Sequence, residues 1–144
     1  MSNIFLEQLI NKNQTTSGHI VKEQLLNHIK ATERIRIKNF LANSIDANIF
    51  DEFTNLKSLL LCDNLLKSIK LNSIFNAIHL ENLVLSNNQI ENLNPYLFSN
   101  LINLKRLKLS MNMINEVEEN TFKGLRDLIE FDLNGNKISK LFKT

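Results

Sequence analysis

The apolar positions of this chain fall into columns. The stretch "LVLSNNQI" at 83–90 returns as "LKLSMNMI" at 107–114 and as "FDLNGNKI" at 131–138. Each copy alternates two apolar residues, as Leu83 and Leu85 do, and then places an Asn two residues ahead of an Ile. Alternation of period two predicts a short strand with both apolar side chains on one side. Aligning Leu56, Leu80, Leu104 and Leu128 gives a constant step of 24 residues. The columns that follow are Leu59, Leu83, Leu107 and Phe131, then Leu61, Leu85, Leu109 and Leu133. Next come Asn64, Asn88, Asn112 and Asn136, then Leu66, Ile90, Ile114 and Ile138, then Ile69, Leu93, Val117 and Leu141. The rest of the unit repeats as well, through Phe50, Ile74, Phe98 and Phe122 and through Phe53, Ala77, Leu101 and Leu125.

One unit upstream, Thr32, Ile35, Ile37, Phe40, Ala42 and Ile45 occupy the same columns, with Phe40 where the Asn stands elsewhere. That departure is expected of a terminal, capping unit. The sequence therefore divides into residues 1–31 and a repeat domain at 32–144. Its units start at 32, 56, 80, 104 and 128, and the last is incomplete. Stacked in parallel, the strands place their leucines in a continuous interior. The Asn amide both donates and accepts, so it serves the backbone where the chain turns inward, one Asn above the next as a ladder. A lone unit of this size cannot bury its apolar face, which is why the unit repeats.

The run L-x-x-L-x-L-x-x-N-x-L/I-x-x-L/I/V over residues 32–141 resembles the leucine-rich repeat in its 24-residue "typical" form. The resemblance implies an α/β solenoid: a horseshoe arc with short parallel strands on the concave face, an N-terminal helical cap and an irregular convex side. It also implies binding of ligands, mostly proteins, on the concave face. Cysteine-rich flanks are common on extracellular members. This chain, with Cys62 as its one cysteine, carries none.

The ends read differently. Residues 17–31, "SGHIVKEQLLNHIKA", predict an amphipathic helix with Val21, Leu25 and Ile29 on one face and Ser17 as its cap, closing the edge of the first unit. Residues 1–16 are expected to be a partly disordered tail. At the other end "KLFKT" follows directly on the Leu141 column, so an open flank is expected at Phe131, Leu133 and Ile138, beside an unpaired strand edge. Such an edge suits a homodimer, a covering partner or a shortened relative of a longer repeat protein.

Composition narrows the function. The formal net charge is +2, which makes no global case for nucleic acid or membrane. No apolar run reaches the roughly 18–20 residues of a membrane span, and the start, "MSNIFLEQLI", lacks a basic signal region. With no disulfide framework either, the expected location is cytoplasmic, with secretion left open. His19, His28 and His79 have no metal-ligand spacing. Cys62 stands in a column with Ser86, Ser110 and Asn134, and no base lies near it in sequence. "NQT" at 13–15 matches a glycosylation acceptor that is expected to be idle without a signal peptide. Neither an enzyme, a cofactor nor a metal site is expected.

What remains is the strand positions that are not leucine. These are Arg34, Arg36 and Lys38, then Ser58, Leu60 and Cys62, then Asn82, Val84 and Ser86, then Arg106, Lys108 and Ser110, then Glu130, Asp132 and Asn134. The middle column runs Arg36, Leu60, Val84, Lys108, Asp132, an apolar centre with a charged rim, as in many protein interfaces. A non-enzymatic module binding a protein partner on this face is the leading expectation. Self-association, or pairing with a longer repeat protein, through the C-terminal edge is the alternative. Nucleic-acid binding through Arg34, Arg36, Lys38, Arg106 and Lys108 is disfavoured by Glu130 and Asp132 on the same face and by the lack of an aromatic platform.

Overall fold

The computed structural model describes residues 27–38, 43–45 and 47–141. The expected tail, most of the expected helix, and Phe40 and Ala42 of the first unit lie outside the described residues. Residues 27–30 are helical, and Ile29 on that turn is buried in the same core as the repeats.

Among the described residues nine short strands follow: β1 (Arg34–Arg36), β2 (Ser44–Ile45), β3 (Ser58–Leu60), β4 (Ser68–Ile69), β5 (Asn82–Val84), β6 (Arg106–Lys108), β7 (Glu116–Val117), β8 (Glu130–Asp132) and β9 (Lys140–Leu141). A five-stranded parallel sheet runs β1-β3-β5-β6-β8. Its register is the sequence period made physical: Ile35 pairs with Leu59, Leu59 with Leu83, Leu83 with Leu107, and Leu107 with Phe131. The middle residue of each strand points inward because strand side chains alternate. Ile35, Leu59, Leu83 and Leu107 are accordingly buried, along with Leu61, Leu85 and Leu109 two positions on. Phe50, Ile74 and Phe98 close the core from the opposite, convex wall.

On that wall the chain descends through turns in which an N–H bonds the carbonyl three residues back, as from Ser99 to Tyr96 and Leu101 to Phe98. Small parallel pairs, β2 with β4 and β7 with β9, recur there. The third unit interrupts them at Asn94–Pro95. The donor that pairs one coil earlier, the Lys70 N–H to Ile45 O, corresponds here to Asn94, the residue that Pro95 restricts. The Asn94 side-chain amide bonds Ile69 O at 3.3 Å instead.

The Asn ladder fixes the inward turn. Asn88 Nδ2 donates to Leu61 O (2.9 Å) one coil back and to Leu85 O (2.9 Å) in its own coil, while its Oδ1 accepts the Leu66 N–H at 3.1 Å. Asn112 repeats this with Leu85 O (3.0 Å), Leu109 O (3.0 Å) and the Ile90 N–H (3.0 Å). Just before each Asn the backbone enters the left-handed region, at Asp63, Asn87, Met111 and Gly135. Asp, Asn and Gly tolerate that region, and a Met does so at a cost. A side chain at Gly135 would also run into Met111 Sδ of the coil before.

Candidate functional site

The parallel register lays the outward side chains of the main sheet in rows across the concave face. Arg34, Ser58, Asn82, Arg106 and Glu130 form one row, and Arg36, Leu60, Val84, Lys108 and Asp132 the next. Lys38, Cys62, Ser86, Ser110 and Asn134 continue the same spacing beyond the strands, where the Ser86 and Ser110 hydroxyls meet at 3.0 Å. The residues singled out from sequence therefore share one surface.

Their accessibility is uneven. Arg34, Arg36, Lys38, Arg106 and Asn134 are exposed, and Leu60, Cys62, Asn82, Val84, Ser86, Lys108, Ser110, Glu130 and Asp132 are half-buried. Ser58 corrects the expectation of an open strand position. It is buried at 7% exposure, with the Asn82 amide donating to its hydroxyl at 3.2 Å, because the longer neighbouring side chain folds over it.

The charges are not distributed as the bare sequence suggests either. Glu130 Oε1 lies 2.6 Å from Lys108 Nζ and its Oε2 lies 3.1 Å from Arg106 Nε. The Lys108 hydrogen bond holds the Glu130 carboxyl below its ordinary value. Asp132 is also held low, first by the Asn134 backbone N–H at 2.9 Å and then by the Ser110 hydroxyl. The C-terminal half of the face is thus closed upon itself. Since a depressed carboxyl pKa stabilises above its unfolded value and ceases to do so as pH falls through the folded one, Glu130 supports the fold above its ordinary 4.5. The Tm difference between the native chain and Glu130→Gln is expected to be present at neutral pH and to vanish on acidification below that range. A difference unchanged between neutral and acid pH would show that Glu130 contributes through packing rather than charge.

Near Cys62, burial and then a hydrogen bond with Asp63 push the thiol up, so it stays protonated. Asp63 is held low by Asn87 Nδ2 at 2.9 Å and by Cys62. A protonated thiol beside a carboxylate offers no nucleophile. Among the described residues no group of three or more His, Cys, Asp and Glu is placed to hold a metal ion. No helix among them is long and apolar enough to cross a membrane.

One polar feature escaped the reading of the strands. Glu33, Lys57, Glu81 and Lys105 stand 24 apart and alternate in charge. Lys57 Nζ reaches Glu33 Oε1 at 2.6 Å and Lys105 Nζ reaches Glu81 Oε2 at 2.8 Å, raising the Lys57 pKa and lowering that of Glu81. A shallow cleft of about 260 Å³ beside them is lined by Asn55, His79, Asn103 and Asp127 as well. His79 is exposed in its loop, as its column predicts. The ladder was readable in the sequence by following the 24-residue columns through polar positions.

The family model for the leucine rich repeat matches residues 78–138. The chain is a leucine-rich repeat protein. In a chain of the crystal structure of the TLR13–ssRNA13 complex, the same repeat architecture superposes with a TM-score of 0.61 and 25% identity. The match covers 72% of this leucine-rich repeat chain and 19% of that one, so the present chain spans well under two thirds of its neighbour's length. No curated protein matches it. Leucine-rich repeats commonly serve as non-enzymatic protein-interaction modules.

Proposed function

We propose that this chain is a non-enzymatic interaction module that binds a protein partner across the concave face. The observation that supports the reading best is the pairing of Leu60 with Val84. These aliphatic side chains adjoin on neighbouring strands, half-buried, between the charged Arg36 and Lys108. Desolvating such a centre favours association, while the charged rim gives selectivity. The lone Cys62 suits a reducing compartment such as the cytoplasm. RNA appears in the TLR13 complex, but here Glu130 neutralises two of the cations that a phosphate chain would need.

Capture from lysate of the source cells with native bait and with Leu60→Asp/Val84→Asp bait tests this. A protein held by the native chain and lost by the variant, at equal mass and equal melting behaviour, is the expected result. Equal retention by both baits rejects the concave face.

A second reading, self-association or pairing with a longer repeat protein, draws on the edge of β8. Ile129 is 83% exposed there and Phe131 45%. The inner coils bond Leu61 N–H to Val84 O, Leu85 N–H to Lys108 O and Leu109 N–H to Asp132 O, whereas Leu133 N–H has no such acceptor among the described residues. A monomer mass constant with concentration would count against the self-association form of this reading.

A further inference from the structure

The concave face carries two groups of cations in opposite electrostatic states. Arg106 and Lys108 both bind Glu130, and Lys108 also faces Asp132. Arg34, Arg36 and Lys38, on and just after β1, are exposed and have no ion pair among the described residues. Asp63 feels Lys38 and Arg36 electrostatically without pairing with either, and its hydrogen bonds go to Asn87 and Cys62. The acid at the foot of β1, Glu33, is engaged with Lys57. The N-terminal third of the face is therefore a strip of positive charge without an ion pair among the described residues, abutting the Leu60–Val84 centre. Among the described residues no comparable strip of negative charge lies on this face.

Building on the concave-face reading, we infer that the partner presents an acidic–aliphatic segment: two neighbouring carboxylates over β1 and an aliphatic pair over β3 and β5. The spacing sets the order. Arg34 and Arg36 lie about 6.8 Å apart along the strand, and Arg36 is about 4.8 Å from Leu60 across it. An extended peptide advances about 3.3 Å per residue. Carboxylates one to three residues from the aliphatic pair thus reach both arginines, which favour bidentate carboxylate contact. Polyanionic RNA fits less well. It needs cations along a longer track and aromatic side chains for stacking, whereas the exposed aromatics Phe75 and Tyr96 lie on the convex turns and Phe131, at the edge of β8, packs against Phe122.

The test uses the full chain, isotopically labelled, with three defined probes: the capped peptide Gly-Asp-Glu-Gly-Leu-Leu-Gly, its Asn/Gln counterpart, and a short oligouridylate. The acidic peptide is expected to bind with amide shift changes confined to β1, β3, β5 and Lys38. Its neutral counterpart, and the variant Arg34→Gln/Arg36→Gln/Lys38→Gln with unaltered melting, should each bind about tenfold more weakly. Lys108→Gln should stay within about twofold, since that cation is already engaged. Equal affinity for the neutral peptide, no binding of either peptide, or tighter binding of the oligouridylate would each overturn the inference, the last assigning the strip to nucleic acid. The lysate capture separates the two levels of failure. A partner lost by Leu60→Asp/Val84→Asp yet kept by the triple Gln variant preserves the face and rejects its acidic ligand. A partner kept by both variants rejects both.

Discussion

Replacing Asn112 with Ala is expected to destabilise the chain by about 2–5 kcal/mol, more than its polar, side-chain-truncating character would suggest. The residue is 5% exposed. Its Oδ1 accepts the Ile90 N–H at 3.0 Å, and that donor belongs to a residue of 0% exposure. Leaving that buried N–H without its acceptor costs about 1–3 kcal/mol. The three carbonyls that Asn112 Nδ2 serves fare better. Leu85 O keeps Asn88 Nδ2 at 2.9 Å, Leu109 O keeps Asn136 Nδ2 at 2.9 Å, and Ser110 O keeps the Asn87 N–H at 3.0 Å. The two N–H groups of Asn112 Nδ2 are shared among these three carbonyls, so their loss is worth about 0.5–1 kcal/mol per N–H. The sum exceeds a typical surface substitution several-fold.

Position in the stack changes this value. Asn136 makes the same bonds to Leu109 O, Leu133 O and the Ile114 N–H, but it is half-buried and water can replace part of what it supplies. Asn136→Ala should therefore cost less than half as much. Urea denaturation of both variants measures the contrast. Equal losses would show that the ladder acts by shaping the turn rather than by satisfying buried groups, and a loss at Asn112 below about 1 kcal/mol would exclude the accounting just given.

The repeat itself was legible because one period governs every column. A strand register in which Arg34 meets Ser58 and Asn82 meets Arg106 is the 24-residue step written in space. Phe131 at the exposed edge follows from the same counting, whereas Leu133 and Ile138, expected to be open beside it, are half-buried against the core, and the exposed Ile129 stands outside the apolar columns. What a list of columns leaves out is where a long side chain goes once its column is known. The burial of Ser58 depends on Asn82 bending over it, and the neutrality of the C-terminal half depends on Glu130 turning back toward β6. Both are choices among rotamers, settled by neighbours one strand away rather than by the residue's own type. The left-handed step at Met111 was hidden for a related reason. Asp63, Asn87 and Gly135 in that column announce the turn, but Met is not a residue that signals it, and the backbone there follows its neighbours.

Phe98→Ala should produce a loss of similar size by a different route, and it should divide the molecule. Phe98 is fully buried, and its ring stacks on Phe122 with centroids 6.0 Å apart and planes 10° from parallel. Phe122 in turn meets the Phe131 ring edge-on at 4.9 Å. This line of rings ties the convex wall of the third unit to strand β8 in the fifth. Truncating a buried Phe costs about 3–5 kcal/mol in lost transfer energy and cavity, to which the ring contact adds about 0.5–1.5 kcal/mol. In a solenoid that cost falls on the interface between neighbours rather than on the whole chain. The coils from residue 104 onward are then expected to melt before those at 56–90, turning one denaturation transition into two and raising amide exchange first at Leu107 and Leu109. Phe98→Leu should recover most of the loss, because Ile74 fills the same column one coil earlier with an aliphatic side chain and is itself buried. Should Leu prove as damaging as Ala, volume would not be what Phe98 supplies, and the stacking on Phe122 would be the contact that joins the two halves.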